Sequence, residues 1–221
     1  MYASAFRVLN LAVAGFLSLQ AFAGAQQYEV LSASVRATLA SAVNDRSSVD
    51  TKDLDTRAWV RAMTRSVAGR FPDEAAAREF LALVRYESLR AGLDPHLVLA
   101  VIDVESRFRK YAVSKAGARG FMQVMPFWVR EIGDSGHNLF QDRVNLRYGC
   151  TILRHYLDRE RGNVANALGR YNGSLGQAEY PNRVQQAFRT RWALGAQAFA
   201  GGEVRVVASS RNFRLTRPTR S

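Results

Sequence analysis

The chain has 221 residues, 48% of them hydrophobic, and its 31 Lys and Arg against 19 Asp and Glu give a formal net charge of +12. The apolar fraction excludes a disordered chain, and a single Cys excludes a scaffold held by disulfides. Beyond the N-terminus no apolar run reaches the roughly 20 residues that a membrane-spanning helix requires, which excludes a polytopic membrane protein. A chain of this length is expected to bury one full-sized core.

Residues 1–25 have the composition of a secretory signal peptide. One cation, Arg7, precedes a mostly apolar stretch over residues 8–23, and small residues follow it. A short basic region, an apolar region and a small-x-small site are typical of such a peptide, with cleavage after Ala23 or after Ala25. An uncleaved membrane anchor is the alternative, which the short and interrupted apolar run disfavours. We therefore predict an exported, periplasmic protein.

Positive charge is concentrated in a C-terminal tail, residues 193–221. From Val204 to the end of the chain, five arginines occur without an acid. Such a surplus favours an anionic partner, a membrane surface or an acidic cell-wall polymer, although a solvated basic face explains it equally well. We predict no nucleic-acid partner, because export and the lack of a binding signature argue against one. We expect the tail to be poorly ordered and the protein to be a monomer. Cell-wall proteins and proteins of a secretion machine stay open as partners.

Almost every segment between these two ends has the apolar spacing of a helix, which predicts a mainly α fold. Asp94 before Pro95 is typical of a helix start, since Asp caps free backbone N–H groups and proline suits the first turn. The longest strand-like pattern is only residues 204–207. We divide the chain into the signal peptide, a helical extension over residues 26–71, a helical domain over 72–192 and the tail. The predicted helices cover residues 28–43, 53–68, 72–92, 94 onward, 127–132, 142–161, 163–170 and 177–192.

Glu105 lies on an apolar helix face. The apolar residues that share this face by their spacing are Val98, Val101, Ile102 and Phe108. Burial disfavours the charged form of a carboxyl and raises its pKa, which is what a general acid requires at neutral pH. The alternative is an exposed ion pair between Glu105 and Arg109, four residues further along the helix.

Three motifs occur in order over residues 94–188. The first combines Glu-Ser-Arg-Phe at 105–108, Ala-Val-Ser at 112–114 and Gly-Ala-Arg-Gly-Phe-Met-Gln-Val-Met-Pro at 117–126. The second joins Asn-Leu-Phe at 138–140 to Asn-Leu-Arg-Tyr-Gly at 145–149, and the third is Arg-Tyr-Asn-Gly at 170–173. Together they resemble the soluble lytic transglycosylases, bacterial enzymes with a lysozyme-like fold that cleave peptidoglycan.

The resemblance implies a single catalytic residue, Glu105, which acts as both acid and base. It also implies that Gln123 hydrogen-bonds a substrate sugar and that Ser114 contacts the acetamido or lactyl group of a muramyl unit. Neither a cofactor nor a metal is implied, and the scattered His residues and the lone Cys150 form no metal-binding pattern. We interpret Cys150 as a buried helical thiol.

Four further residues receive roles from the same resemblance. Met122 or Met125 would line the cleft, Tyr171 would hydrogen-bond Glu105 and orient it, and Asn172 would shape the cleft or touch an N-acetyl group. Each has a structural alternative. Tyr171 and the two methionines are also typical of core packing, while Asn172, like Ser114, is also typical of a helix cap.

The chain departs from the family's pattern at several places. Residues 109–110 are Arg-Lys where the family usually has Asn-Pro, and Phe121 replaces a more usual Leu. The family's acidic-Thr motif ahead of a late tyrosine is shortened here to residues 177–180. This departure puts the roles of Glu179 and Tyr180 in doubt.

One carboxylate suffices when the substrate supplies the nucleophile. Glu105 would protonate the oxygen that links muramic acid to glucosamine, and would then activate the muramyl C6 hydroxyl to close a 1,6-anhydro ring. Most glycosidases use two carboxylates, and the nearest acid, Asp103, points to the other side of its helix. Two alternatives stay open: a hydrolytic muramidase with a hidden second carboxylate, and a non-catalytic module that binds the cell wall.

Overall fold

The structure, a computed structural model, describes residues 26–46 and 53–193 and is almost entirely helical there. The predicted mainly α fold is confirmed. The predicted signal peptide, the strand-like residues 204–207 and all but the first residue of the tail lie outside the described residues. The α-helices are α1 (Ala33–Asn44), α2 (Leu54–Thr64), α3 (Glu74–Arg90), α4 (Pro95–Glu105), α5 (Phe127–Ile132), α6 (Asp142–Arg159), α7 (Val164–Asn172) and α8 (Glu179–Ala187). A 3₁₀ turn, Arg65–Val67, follows α2, and a π-helical turn, Phe188–Trp192, follows α8.

Polar side chains set the starts of several helices. Asp94 caps α4 as predicted, accepting a hydrogen bond from the His96 N–H at 2.8 Å. Such caps stabilise a helix by about 1 kcal/mol each. The first helix was predicted from residue 28 but begins at Ala33, because Ser32 caps it and residues 26–32 are not helical. The other side-chain caps are Asp53 of α2, Asp73 of α3 and Asn163 of α7.

Helix α4 lies at the centre of the hydrophobic core. Five consecutive residues, 98–102, are fully buried, because α3, α8 and the π-helical turn all pack against this helix. Helix α6 contacts α1, α3 and α7 on the other side of the core. The helix that carries Glu105 is therefore held from several directions up to its last residue.

The helices of the predicted extension pack against the rest of the chain. Helix α2 lies on α3, and α1 lies on α5 and α6, so that Leu39, Val43 and Met63 belong to the same core as α4. The indole N–H of Trp59 also donates to Nε2 of His96 at 2.9 Å, which joins α2 to the first turn of α4. These helices share the core of the domain, and the boundary at residue 71 stays a prediction.

A buried ion cluster joins α3 to α6. The Glu87 carboxylate is fully buried and accepts hydrogen bonds from Nε and Nη2 of Arg147, at 3.1 and 2.8 Å. Arg90 adds a third partner at 2.9 Å. A buried charge is tolerated only when it is paired in this way, and such a pair fixes how two helices sit against each other.

Within the described residues, none of the helices is long and apolar enough to cross a membrane.

Candidate active site

Glu105 is the last residue of α4, where the chain turns sharply. Arg107 and Phe108 both have positive φ angles, of 53° and 62°, so the helix cannot continue through the predicted apolar face to Phe108. Phe108 is nevertheless buried. The guanidinium Nε of Arg109 donates to the carbonyl of Ser106 at 3.1 Å, and no ion pair joins it to Glu105 among the described residues. Because the helix ends there, the Glu105 carboxyl lies at the edge of the hydrophobic core, where it is only partly buried.

The surroundings of Glu105 raise the pKa of its carboxyl to about 7. Burial is the largest cause, because desolvation disfavours the charged form. Hydrogen bonds from Tyr180 and Asn172 lower the pKa in part, as does the positive charge of Arg183. The side chain is only partly buried, so that it stays in reach of a ligand. A carboxyl in this state holds its proton near neutral pH and can also release it, as a combined acid and base requires.

Tyr180 of α8 is the residue that orients Glu105. Its hydroxyl donates to Oε1 of Glu105 at 2.6 Å. The prediction that Tyr171 makes this contact is wrong. The Tyr171 hydroxyl donates its one proton to the Met122 carbonyl, at 2.7 Å. Both tyrosines are buried, and burial raises the pKa of each well above its usual range, so both remain hydrogen-bond donors.

Asn172 is buried next to Glu105, in the last turn of α7. Its side-chain amide is close enough to the Glu105 carboxyl to lower the pKa of that group, which brings the third motif to the end of the first. This position agrees with a site residue and not with a helix cap. Helix α7 ends instead at Gly173, whose φ of 76° places it in the left-handed region.

Gln123 lies in a small folded loop beside the site. Isolated antiparallel bridges pair Val113 with Arg119 and Arg119 with Val124. The Gln123 backbone has a positive φ of 49°, and its side-chain Nε2 donates to the carbonyls of Ala112 and Gly120 at 3.1 and 2.9 Å. The loop therefore holds the amide nitrogen of Gln123, and only the oxygen of this side chain has no hydrogen bond to the loop.

Ser114 closes a tight turn within the same loop. Its hydroxyl oxygen accepts a hydrogen bond from the Ala118 N–H at 3.1 Å, and its backbone N–H donates to the Ala118 carbonyl. The side chain remains partly exposed. No helix begins at Ser114, so the helix-cap alternative is wrong, and the hydroxyl closes a turn instead. A substrate contact by Ser114 stays a prediction.

The two methionines of the first motif differ in their exposure. Met122 is fully buried, and its sulfur lies so close to Gly149 that a Cβ atom there would be 2.3 Å away. The alternative in which Met122 lines the cleft is therefore wrong, because α6 comes too near for the side chain to reach solvent. Met125 is only partly buried and is the one of the pair that a ligand can touch.

Asn145 of α6 holds the Gln123 loop in place, a role that the sequence analysis missed although the residue lies in the second motif. Its side-chain oxygen accepts from the Met122 N–H, and its nitrogen donates to the carbonyls of Arg119 and Leu139, all at 2.8 Å. A Cβ on Gly120 would lie 2.3 Å from this nitrogen, which explains the glycine there. The amide thus satisfies backbone groups of Arg119 and Met122 in the loop and of Leu139 in the segment before α6.

Replacing Asn145 with alanine is expected to loosen the Gln123 loop. Three backbone groups would lose their partner, and each unmet buried group costs about 1–3 kcal/mol before any water enters. We expect a lower melting temperature and a loss of activity that exceeds the loss of folded protein. Thermal unfolding and turnover measured on the same preparation test this. Asn166→Ala, on the exposed side of α7, is the control and should leave activity unchanged.

The first described residues of the chain lie against the motif segments. The Gln26 side-chain oxygen accepts from the Met125 N–H at 3.1 Å, and Nε2 of Gln27 donates to the Gly173 carbonyl at 3.4 Å. The Glu29 carboxylate pairs with Arg170 at 3.2 Å. These contacts join residues more than 95 positions apart, and nothing in the sequence pattern predicts them.

Asp103 lies away from the Glu105 carboxyl, as its position in the helix predicts. Its buried carboxylate pairs with Arg70 at 3.2 Å and accepts from the indole N–H of Trp192 at 3.2 Å. Arg191 pairs with it at 3.1 Å.

Cys150 is buried in α6, and burial raises the pKa of its thiol. Among the described residues no group of three or more His, Cys, Asp or Glu side chains could hold a metal ion.

A carboxyl at a helix end whose pKa is raised to about 7 and which accepts a hydrogen bond from a tyrosine hydroxyl is arranged for acid–base chemistry. Comparison with known proteins gives this arrangement a family. The sequence model of the Transglycosylase SLT domain matches residues 82–212, more than half of the chain. The chain belongs to the Transglycosylase SLT domain family, which confirms the resemblance predicted from the three motifs.

Individual relatives match over shorter stretches. Membrane-bound lytic murein transglycosylase C of Actinobacillus pleuropneumoniae serotype 5b is 48% identical over 62 residues, which cover 28% of this chain and 16% of that protein. The transglycosylase of Enterobacteria phage PRD1 is 35% identical over 106 residues, 45% of this chain and 39% of the phage protein. A solved structure of an inactive mutant of the lytic transglycosylase Slt from Pseudomonas aeruginosa is 28% identical, covers 57% of this chain and 21% of that one, and has a TM-score of 0.41. The chain spans less than two fifths of the length of these relatives.

Proposed function

We propose that this protein is a peptidoglycan lytic transglycosylase, a carbon–oxygen lyase that cleaves the β-1,4 bond between N-acetylmuramic acid and N-acetylglucosamine. The observation that carries the proposal is the state of Glu105, a partly buried carboxyl with a pKa of about 7 that Tyr180 holds at 2.6 Å. The name of the Actinobacillus relative, a lytic murein transglycosylase, supplies the substrate.

The first step of the proposed reaction uses the protonated form of Glu105. The carboxyl donates its proton to the glycosidic oxygen while the bond to the muramyl C1 breaks, and the glucosamine leaves with a new hydroxyl. The hydrogen bond from Tyr180 then stabilises the carboxylate that forms. The acetamido group of the muramyl unit is close enough to its own C1 to shield the developing positive charge.

The second step reverses the role of the same group. The Glu105 carboxylate takes the proton of the muramyl C6 hydroxyl, whose oxygen bonds to C1 and closes the 1,6-anhydro ring. No water is consumed, and Glu105 regains the proton it gave away. Because the nucleophile is part of the substrate, the step is intramolecular, which is strongly favoured over attack from solution.

A single carboxyl is consistent with the groups that surround Glu105. Among the described residues, its pKa is set by burial, two hydrogen bonds and the cation Arg183, and no carboxylate contributes. A second carboxylate placed for a two-acid mechanism, about 5–9.5 Å away, would raise the pKa by like-charge repulsion. The groups that set the pKa of Glu105 therefore agree with the intramolecular route, and the product ends distinguish it from hydrolysis. A location in the cell envelope follows from the substrate and from the predicted signal peptide.

The product ends decide between these reactions. Purified sacculi incubated with the protein should release muropeptides whose muramyl ends are one water lighter than hydrolytic ends and resist borohydride reduction. Mass spectrometry before and after reduction measures both properties. Reducible ends would make the protein a hydrolytic muramidase, and binding without any release would make it a non-catalytic wall-binding module.

A further inference from the structure

Residues 109–119 run from just after α4 into the loop that holds Gln123, and include the turn that Ser114 closes. Four of their side chains, Tyr111, Val113, Lys115 and Arg119, are exposed to solvent, and we call them the rim. Two of them are large and apolar: Tyr111 is 72% exposed and Val113 is 61% exposed. Two exposed apolar side chains two residues apart, beside basic groups, make this loop a candidate binding surface.

The rim is attached rigidly to the candidate active site. The carbonyl of Ala112, between the two exposed apolar residues, accepts hydrogen bonds from Nε2 of Gln123 and from the Gly120 N–H, at 3.1 and 2.9 Å. Val113 pairs with Arg119 through a backbone bridge. A ligand on the rim would therefore be held at a set position relative to Gln123.

Aromatic rings give the rim a platform. The rings of Tyr111 and Phe140 lie 5.9 Å apart and are inclined by 51°. The Arg119 guanidinium lies 5.9 Å from the centre of the Phe140 ring. Phe140 thus supports one side of the platform, while Tyr111 remains exposed. A tyrosine presented in this way offers an apolar ring and a polar hydroxyl to a partner, a combination that suits the apolar faces and hydroxyl groups of a sugar ring.

The same loop is strongly basic. From residue 106 to residue 130 the sequence contains no acid but six cations, Arg107, Arg109, Lys110, Lys115, Arg119 and Arg130. Asp142 of α6 neutralises Lys110 at 2.8 Å. Lys115 and Arg119 take part in no ion pair within the part of the chain that the structure describes. They offer two charges to an anionic partner next to the aromatic platform.

We propose that the rim is a second binding site for the peptidoglycan strand, away from the bond at Glu105. Tyr111 stacks on a sugar ring of the strand, and Lys115 and Arg119 bind carboxylates of the peptides that the strand carries. This inference rests on the proposed function, because it takes peptidoglycan as the substrate. The combination of stacking and charge favours this polymer over an anionic lipid surface, which offers charge without sugar rings.

Binding is measured on protein that carries Glu105→Gln, so that no substrate is consumed. Intact sacculi are compared with glycan strands from which an amidase has removed the peptides and whose newly exposed lactyl carboxylates have then been capped as methylamides. Tyr111→Ala should weaken binding to both polymers about fivefold or more, while Tyr111→Phe keeps the ring and should bind almost normally. Lys115→Ala with Arg119→Ala should weaken binding to intact sacculi, lower its salt dependence and leave binding to stripped strands unchanged.

A matched charge control comes from α2, where Arg57 and Arg61 are exposed outside the candidate site. Replacing both with alanine removes two charges and should leave binding to both polymers unchanged. An equal loss in this control would overturn the carboxylate contacts of the rim, since net charge alone would then explain the binding. Binding of the unaltered rim to anionic phospholipid vesicles, abolished by the Lys115 and Arg119 changes, would assign those cations to a membrane.

The proposed function and the rim fail in different ways. If the Glu105→Gln protein with an intact rim binds neither polymer, the proposed function is wrong. If it binds both and Tyr111→Ala binds as tightly, the rim is not a binding site and the proposed function stands. Circular dichroism of each variant shows that the changed side chain, and not unfolding, causes the loss.

Discussion

Replacing Glu105 with glutamine is expected to abolish the release of muropeptides from sacculi, with a loss of about 10³-fold or more because one group supplies both the acid and the base. Glutamine has nearly the same shape, so binding to sacculi and the helical circular dichroism should not change. Release of soluble muropeptides measures activity, and pelleting with sacculi measures binding. Full activity in this variant would rule out the proposed mechanism.

The same substitution should change the pH dependence of stability. The Glu105 pKa rises from a usual 4.5 to about 7 on folding, so the folded state favours the protonated form. The stabilisation is therefore complete below about pH 4.5 and is lost as the pH rises through 7. Glutamine cannot ionise, and the variant should be more stable than the parent by about 3 kcal/mol at pH 8. Urea unfolding at pH 4 and pH 8 measures this, with little difference expected at pH 4.

Replacing Tyr180 with phenylalanine is expected to reduce turnover about 10- to 100-fold without unfolding the protein. The lost hydroxyl donates to Oε1 of Glu105 and lowers the pKa of that carboxyl. Without it, the pKa should rise further, and the alkaline limb of the pH–rate profile should move to higher pH. The profile of kcat/KM between pH 5 and pH 9 tests both effects. An unchanged limb would mean that Tyr180 does not set the protonation of Glu105.

Tyr171→Phe is the matched control for this prediction. Its hydroxyl is equally buried but donates to the Met122 carbonyl. Its loss should lower the free energy of unfolding by about 1–3 kcal/mol, because a buried carbonyl is left without a partner, and should leave the alkaline limb in place. A shift of the limb in this variant and not in Tyr180→Phe would restore the role that the motif resemblance gives to Tyr171.

The contact with Glu105 is made by Tyr180 and not by Tyr171, which the sequence alone could not show. Tyr171 lies directly before Asn172, which does contact Glu105, so the motif alone favours it. Along α7, however, successive side chains point about 100° apart, and Tyr171 faces the core where Asn172 faces the carboxyl. Tyr180 is 75 residues from Glu105 and lies in the shortened motif segment. Only the packing of α8 on α4 shows which hydroxyl reaches the site.

Met122 and Asn145 illustrate the same limit in the Gln123 loop. The sequence places two methionines in the motif and offers no means of choosing between them. The close approach of α6 at Gly149 decides the choice, because it encloses Met122 and leaves Met125 partly exposed. The same helix supplies Asn145, whose three hydrogen bonds shape the loop. Buried polar contacts of this kind depend on distances between helices, which periodicity does not contain.

The sequence by itself determined the helical fold, the Asp94 cap of α4, the place of Glu105 on the apolar face of that helix and the family, because these depend on local propensity, helical period and motif order. The tertiary structure alone decided the sharp turn after Glu105, the partner of its carboxyl, the burial of Met122 and the contacts of residues 26–29 with the motif segments. The reason is physical. A helix restricts which of its own side chains share a face, whereas the pKa of a carboxyl and the partner of a hydroxyl depend on desolvation and distance, which arise when helices far apart in the chain pack together.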